Sequence, residues 1–585
     1  MSFATLAYAK FFALVFVAAW LAVQRRFTPL LPWLGLFAYV AFTHTTPVAA
    51  GIVAIALGLS TALCRGAGDE IPPLRVLAAS VAVNFGGLAW LTHRTAGRDP
   101  LGLALSTLGV PIGHGSAFTL AGLVLAPLGL LLLLRARKLR LLLLLGASWI
   151  FYAEWDWRFL PLIWGSSTAD WLLGRAISRA GNARKKKLWL AGTVVVNLGV
   201  LGVFKYFDFG VESVTSALTA LGYHPSALAL HITLPIGISF FTFESMSYVI
   251  DVYRGTIQPQ KSYVEYLAFV AFFPHLVAGP IVRPRDLLPQ LAGPPRWSSA
   301  EGSEGLFLIS IGLVKKLAIG DYLALNLVDR VFDAPAQYSA LECYAAVLGY
   351  AVQIYSDFSG YTDIAIGSAL LLGVRFPKNF DAPYKAASIQ EFWRRWHISL
   401  STWLRDYLYV PLGGNRRGRV RTYVNLLLTM LLGGLWHGAS WTFVAWGGLH
   451  GAALAVDRWV SEWRGRKGTP RPASPLVRVL GVLLTFHFVC ACWIFFRADS
   501  FGNARTMFVQ LATLTHYAPR LTPTLLAVLA AGLVSHFVPE RWYDGARDAF
   551  ARMPAPVQGV ALFAVAVVIR RMAAAEAVPF VYFQF

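Results

Sequence analysis

The sequence predicts an all-α polytopic integral membrane protein of about thirteen to fifteen transmembrane or re-entrant helices. Three observations carry this. Of 585 residues, 57% are hydrophobic and only 14% are charged, where a soluble chain carries about 25% charged residues. Apolar stretches recur from end to end, each long enough as a helix to cross roughly 30 Å of hydrocarbon. The net charge of +21 is gathered in short clusters between those stretches: Arg135/Arg137/Lys138/Arg140, residues 184–187, Arg416/Arg417/Arg419/Arg421 and Arg464/Arg466/Lys467. That is the pattern of cytoplasmic loops under the positive-inside rule, so nucleic acid is not the expected partner; the lipid bilayer is. Cys64, Cys343, Cys490 and Cys492 form no CxxC pair and no His-linked zinc spacing, so neither a disulfide nor a metal site is expected.

Residues 1–140 hold several spans separated by weak turns. The first, 3–23, is followed by further membrane segments and has only Lys10 as a flanking charge, which favours a retained span over a signal peptide. From about residue 141 aromatic residues crowd the helix ends (FYAEWDWRF, 151–159), as side chains with one wet and one apolar end do at an interface. Spans are expected near 188–206, 231–251, 263–282, 305–328 and 340–374, the last broken near Gly360. Others fall near 422–457, 476–496, 523–538 and 556–569.

Segment 376–421 is too charged to cross a bilayer. Ser388 and Glu391 read as a capping box after Pro383. Ile389, Trp393, Trp396, Leu400, Trp403 and Tyr407 then recur at helical spacing, and Pro411 with Gly413-Gly414 ends the run. One helix would place Arg394, His397, Ser401 and Arg405 on a second, polar face. That face either meets lipid headgroups or lines a chamber.

Polar residues also stand where they are expensive. AVQIYSDFSGYTDIAIG (351–367) carries Asp357 and Asp363 within an apolar run, and an uncompensated aspartate at the bilayer centre costs at least ~2.5–3.5 kcal/mol. They are expected either in a structural ion pair with an arginine such as Arg394 or Arg405, or in a site. Segment 422–457 has basic loops at both ends, so it goes in and returns, with GGLWHG (433–438) at the turn. This puts His437 near a hairpin apex, with glycines leaving room beside its ring. An imidazole, with a reference pKa of about 6.5, can take a proton from an alcohol attacking an acyl group. Intramembrane His and Asp also build proton relays. No Walker A loop, G-x-S-x-G elbow or HExxH occurs.

The series YSDFSGYTDIAIG (355–367), FPKNFDAPYKAASIQEFWRRWHISLSTWLRDYLYVPLGGN (376–415) and LLGGLWHGASWTFVAWGGLHG (431–451) resembles the membrane-bound O-acyltransferase family. Its likeness is to the bacterial branch that O-acetylates exported polysaccharides such as alginate. PIGISFFTFESMSYVIDVYRG (235–255), FFPHLVAGPIVRP (272–284) and the terminal FVYFQF add to it. The resemblance runs over 141–585, which it implies is the catalytic membrane domain, and is weak over 1–140, read as extra N-terminal membrane helices. It implies a helical ring around a central tunnel, with His437 catalytic and His397 lining the same cavity. Asp357, Ser359, Trp393, Arg405, Asp406, Asn415 and Trp436 fall within the shared motifs and take supporting roles. The implied donor is acetyl-CoA or a similar acyl thioester, with no permanently bound cofactor. Arg416 and Arg417 are candidates for its phosphates, although any cytoplasmic loop would be basic. The implied partners are an extracytoplasmic esterase-like acetyltransferase and polysaccharide synthesis or export machinery, and the implied location is the bacterial cytoplasmic (inner) membrane. Tyr582 is either an interfacial anchor or a transient acyl carrier. A transporter coupled through Asp357 and Asp363, an inactive synthase scaffold and D-alanyl transfer to an envelope polymer are the alternatives.

Overall fold

The computed structural model describes residues 12, 13, 15, 16 and 139–572, apart from 225–231, 278, 294–297, 464 and 466–473. All regular structure among these is helical. The chain divides into two units near residue 154. In the first, the described helix begins at Leu139 and runs to Asp156. The expectations for Tyr582 and for nearly all of 1–140 lie outside the described residues. The second unit holds the other candidate residues.

The helices of this second unit, in chain order, begin with α1 (Leu160–Arg179), α2 (Ala183–Leu201) and α3 (Phe207–Ala220), then α4 (Ile238–Arg254), α5 (Tyr263–Ala271), α6 (Ser299–Leu313) and α7 (Ala340–Leu371). Next come α8 (Ile389–Arg395), α9 (Ile398–Leu404), α10 (Arg419–His437), α11 (Trp441–Trp463) and α12 (Pro475–Arg497). The last three are α13 (Pro523–Ser535), α14 (Glu540–Arg552) and α15 (Ala555–Met572). Among the described residues, Ala183–Ala220, α12 and α15 are long and apolar enough to cross a membrane. Helices α13 and α14 form a pair bent by 97°.

Several expected spans take a different form, each for a local reason. Helix α2 does not stop near 206 but continues through a π-helical turn, Gly202–Tyr206, into α3. The 263–282 segment is not one helix: α5 has only 9 residues and ends at Ala271, ahead of Pro274. Helix α7, by contrast, runs unbroken through Gly360 for 32 residues from a Ser339/Glu342 capping box. Gly360 is there for packing. A Cβ on Gly312 of α6 would lie 2.5 Å from the Gly360 carbonyl, and one on Gly360 would lie 2.7 Å from the Gly312 carbonyl. Gly305 and Gly367 repeat the relation seven residues away along each helix, at 2.8 and 2.5 Å. Small residues at an interface let two membrane helices approach backbone to backbone.

At the end of that glycine seam, α6 widens into a second π-helical stretch, Val314–Gly320. It presents Lys315 and Lys316. Lys316 bonds Asp357 at 2.6 Å and Asp321 at 2.7 Å, all three nearly fully buried, and Lys315 bonds Asp363 at 2.7 Å. Asp357 and Asp363 are therefore paired with adjacent lysines, not with Arg394 or Arg405. A lysine on the neighbouring helix was the nearer partner once α6 and α7 packed.

The α10–α11 hairpin is present, but its turn is Gly438–Ser440 and Gly433-Gly434 belong to α10. A Cβ on Gly434 would collide with the Phe443 carbonyl, and one on Gly447 with the Met430 carbonyl. The Phe443 ring fills the space a Gly438 side chain would take. The glycines around His437 thus bring the two helices into contact.

Candidate active site

Segment 388–409 is not one helix. Ser388 caps α8 through the Glu391 amide, while the Glu391 carboxylate reaches the Ala387 N–H at 2.9 Å. Helix α8 stops at Arg395, and His397 adopts the left-handed conformation (φ 43°, ψ 56°) before α9 begins. That break rotates the side chains. Arg394 and Arg405 remain at the surface, whereas His397 is 0% exposed, so the expected shared polar face does not form. A non-glycine residue at positive φ stores strain of ~1–3 kcal/mol and persists where its surroundings over-determine it.

Those surroundings are specific. Nδ1 of His397 lies 3.2 Å from Oδ1 of Asn379, which also accepts from the Ser399 amide at 3.1 Å and the Ser399 hydroxyl at 2.9 Å. Ser399 Oγ in turn accepts the Ile281 N–H at 3.0 Å. With its proton on Nδ1, His397 presents Nε2 as an acceptor in a wholly buried setting. Phe358 of α7 meets the imidazole edge to face at 4.6 Å. Behind this network, Glu244 accepts the Val282 N–H at 3.1 Å and pairs with His275 at 2.9 Å, both side chains 0% exposed.

His437 is the last residue of α10 and is 3% exposed. Its ring packs against Trp436 (5.0 Å), Trp446 (5.1 Å) and Phe496 (5.4 Å). His397 lies 6.2 Å from the same Trp436 ring. The two candidate histidines, 40 residues apart in sequence, thus neighbour one indole. Trp436 is held in turn by Phe240, Phe243 and Trp403, with the Phe243 and Trp403 rings stacked at 3.7 Å.

A cavity of about 1090 Å³ opens beside this group. Ile398, Ser401, Thr429, Met430 and Leu454 line it, together with Trp393, Arg394, Arg405, Asn415, Arg419 and Arg458. Asp457 and Glu462 supply its acidic side. Glu462 binds Arg419 at 3.0 Å and Arg458 at 2.9 Å. From the cavity wall Trp393 donates its indole N–H to Nδ1 of His450 at 3.3 Å. His450 is 0% exposed and packs on Trp446, which touches His437. A chain of aromatic contacts, Trp393–His450–Trp446, therefore runs from the cavity wall to His437.

The structure brings His437, His397 and Trp436 together and places Trp393, Arg405 and Asn415 on the cavity. Asp406 bridges Arg405 at 2.7 Å and Arg283 at 3.2 Å. Asp357 and Ser359 are buried in α7, Asp357 facing α6. Arg416 and Arg417 are exposed and are not among the residues lining the cavity. Asn379 and His450, within the quoted motifs, were not singled out from sequence. A single asparagine or histidine gives no periodic signal, and only the fold shows what it faces.

Residues 259–492 match the membrane-bound O-acyltransferase (MBOAT) family. The chain is 43% identical over 439 residues to the probable alginate O-acetylase AlgI of Pseudomonas syringae pv. tomato, covering 73% of this chain and 82% of the relative. It is 38% identical over 384 residues to the peptidoglycan O-acetyltransferase of Helicobacter pylori, covering 61% and 71%. Similarity extends to the teichoic acid D-alanyltransferase of Bacillus subtilis, 29% identical over 284 residues, covering 46% and 70%.

Proposed function

Because this chain belongs to the membrane-bound O-acyltransferase family, we propose that it moves an acetyl group from a cytoplasmic thioester across the membrane for O-acetylation of an exported polysaccharide. It is a membrane-embedded acyltransferase. The relatives' names attach O-acetyl or D-alanyl transfer to alginate, peptidoglycan and teichoic acid. Acetyl transfer to a polysaccharide is the reading closest to the more similar of them.

The observation that carries the mechanism is the buried placement of His437 and His397 against the same Trp436 ring. His437 acts as general base: it takes the proton of an acceptor hydroxyl as that oxygen attacks the thioester carbonyl. The tetrahedral intermediate collapses by breaking the C–S bond, and the thiolate leaves with the proton His437 carried. His397, oriented by Asn379, packs against the same Trp436 and fixes the wall of the site. Tyr582 is the candidate first acceptor within the chain, forming an aryl ester before handover to an extracytoplasmic esterase-like partner. Polysaccharide synthesis or export machinery in the cytoplasmic membrane then supplies the polymer.

The cavity is the proposed donor site. Its walls combine apolar surface for a thioester arm with Arg394, Arg405, Arg419 and Arg458 for phosphates, which guanidinium groups bind well. Asp357 and Asp363 enter as partners of Lys316 and Lys315, holding α6 to α7. The catalytic domain in this reading lies within 141–585. The test is thioester consumption by the reconstituted protein with acetyl-CoA: His437→Ala should lower the rate by about 10²–10⁴, and a folded His437→Ala variant at the wild-type rate would end the proposal.

A further inference from the structure

Helix α10 delivers His437 on its final residue, so the fate of that helix end decides where the imidazole stands. The last four carbonyls of an α-helix have no donor within it. Here each has a partner. The Gly434 carbonyl accepts the Gly438 N–H at 3.3 Å. The Leu435 carbonyl accepts the Tyr206 hydroxyl at 3.0 Å. Lys205 Nζ donates to the Trp436 carbonyl at 2.5 Å and to the His437 carbonyl at 3.2 Å. Two adjacent side chains from a helix some 230 residues away in sequence therefore close three of the four positions.

The source of those side chains is unusual as well. On an α-helix, neighbours in sequence diverge by about 100°. Lys205 and Tyr206 converge on one helix end from the π-helical turn Gly202–Tyr206, the point where α2 and α3 join. Such turns are frequent at functional positions. The ammonium also meets the negative end of the α10 dipole and sits 6.0 Å from the Trp436 ring. Beyond His437 the chain turns extended at Gly438 (φ −153°, ψ 147°), so no further helical turn steadies this end.

We infer that Lys205 and Tyr206 are positioning residues for His437, locking the terminal turn of α10 through its carbonyls. The inference rests on the reading of His437 as the base. A displacement of one ångström in a catalytic group can cost about a hundredfold in rate, and an untied helix end frays.

The experiment uses the full chain in liposomes with acetyl-CoA as donor, a soluble polysaccharide as hydroxyl acceptor, and release of free thiol as the signal. Lys205→Met should lower kcat by about a hundredfold with the donor KM within about twofold, and Lys205→Arg should recover most of the loss. Tyr206→Phe, which removes one bond only, should lose about fivefold to tenfold. Combined with His437→Ala, Lys205→Met should cause no further loss, because it acts through the ring already removed. Wild-type kcat in Lys205→Met while His437→Ala is inactive would overturn the inference and leave the base intact. So would an equal loss in both backgrounds, which marks an independent structural role. If Lys205→Met does not fold, Tyr206→Phe is read by the same two comparisons. Wild-type activity in His437→Ala would instead remove the reading beneath it.

Discussion

Lys316 and Asp357 form an ion pair at 2.6 Å with 1% and 5% of their side chains exposed, and Asp321 bonds the same ammonium at 2.7 Å. One lysine thus serves two carboxylates where desolvation is severe. Removing a single partner leaves a buried charge uncompensated, which costs about 3–5 kcal/mol, while replacing a whole ionic group by neutral residues is often tolerated. Lys316→Met should therefore lower the thermal unfolding midpoint sharply in detergent. The triple change Lys316→Met, Asp357→Asn, Asp321→Asn should restore most of it. A triple variant as unstable as the single one would show that the ion pairs are not the source of the loss.

The glycine seam gives a second prediction. Gly312→Ala places a methyl 2.8 Å from Cγ1 of Ile364 and 2.5 Å from the Gly360 carbonyl, which cannot yield without moving a helix. Overpacking of this kind costs about 1–3 kcal/mol. Gly210→Ala, where nothing lies within 4 Å, is the control and should be neutral or stabilising by up to about 1 kcal/mol. Unfolding curves of the two variants separate crowding from helix propensity.

The cavity predicts where donor charge is read. Arg394 and Arg458 line it, and Arg416 and Arg417 do not. Arg394→Ala and Arg458→Ala should each raise the acetyl-CoA KM by roughly tenfold at low ionic strength. The effect should shrink as salt screens the wall. Arg416→Ala and Arg417→Ala should shift KM by less than about twofold. Steady-state kinetics across a salt series would expose the reverse order if the loop, and not the cavity, receives the phosphates.

How much of this was legible in the sequence differs from residue to residue. The hairpin carrying His437 was readable from basic flanks and glycines, because charge and turn chemistry are local. Its close packing was not, since the meaning of Gly434 and Gly447 depends on which backbone approaches them. The apolar periodicity over 389–407 pointed to one helix, and tertiary packing overrode it at His397, turning that side chain inward. Lysine partners for Asp357 and Asp363 were hidden because ion pairs across helices have no sequence spacing. The same is true of Lys205, 232 residues from the carbonyl it caps.

The backbone at His397 supplies the last prediction. A left-handed conformation costs an L-residue with a Cβ roughly 1–2 kcal/mol, and glycine pays no such penalty. His397→Ala and His397→Gly remove the same buried imidazole and the same bond to Asn379, so their difference isolates the backbone at φ 43°. Glycine also gains freedom in the unfolded chain, which offsets part of the relief. The expected result is that His397→Gly unfolds at the same temperature as His397→Ala or a few degrees above it, while both lose acyl transfer. Normal transfer in the glycine variant would reduce His397 to a device for turning the chain, and the role of its ring in the site would be withdrawn.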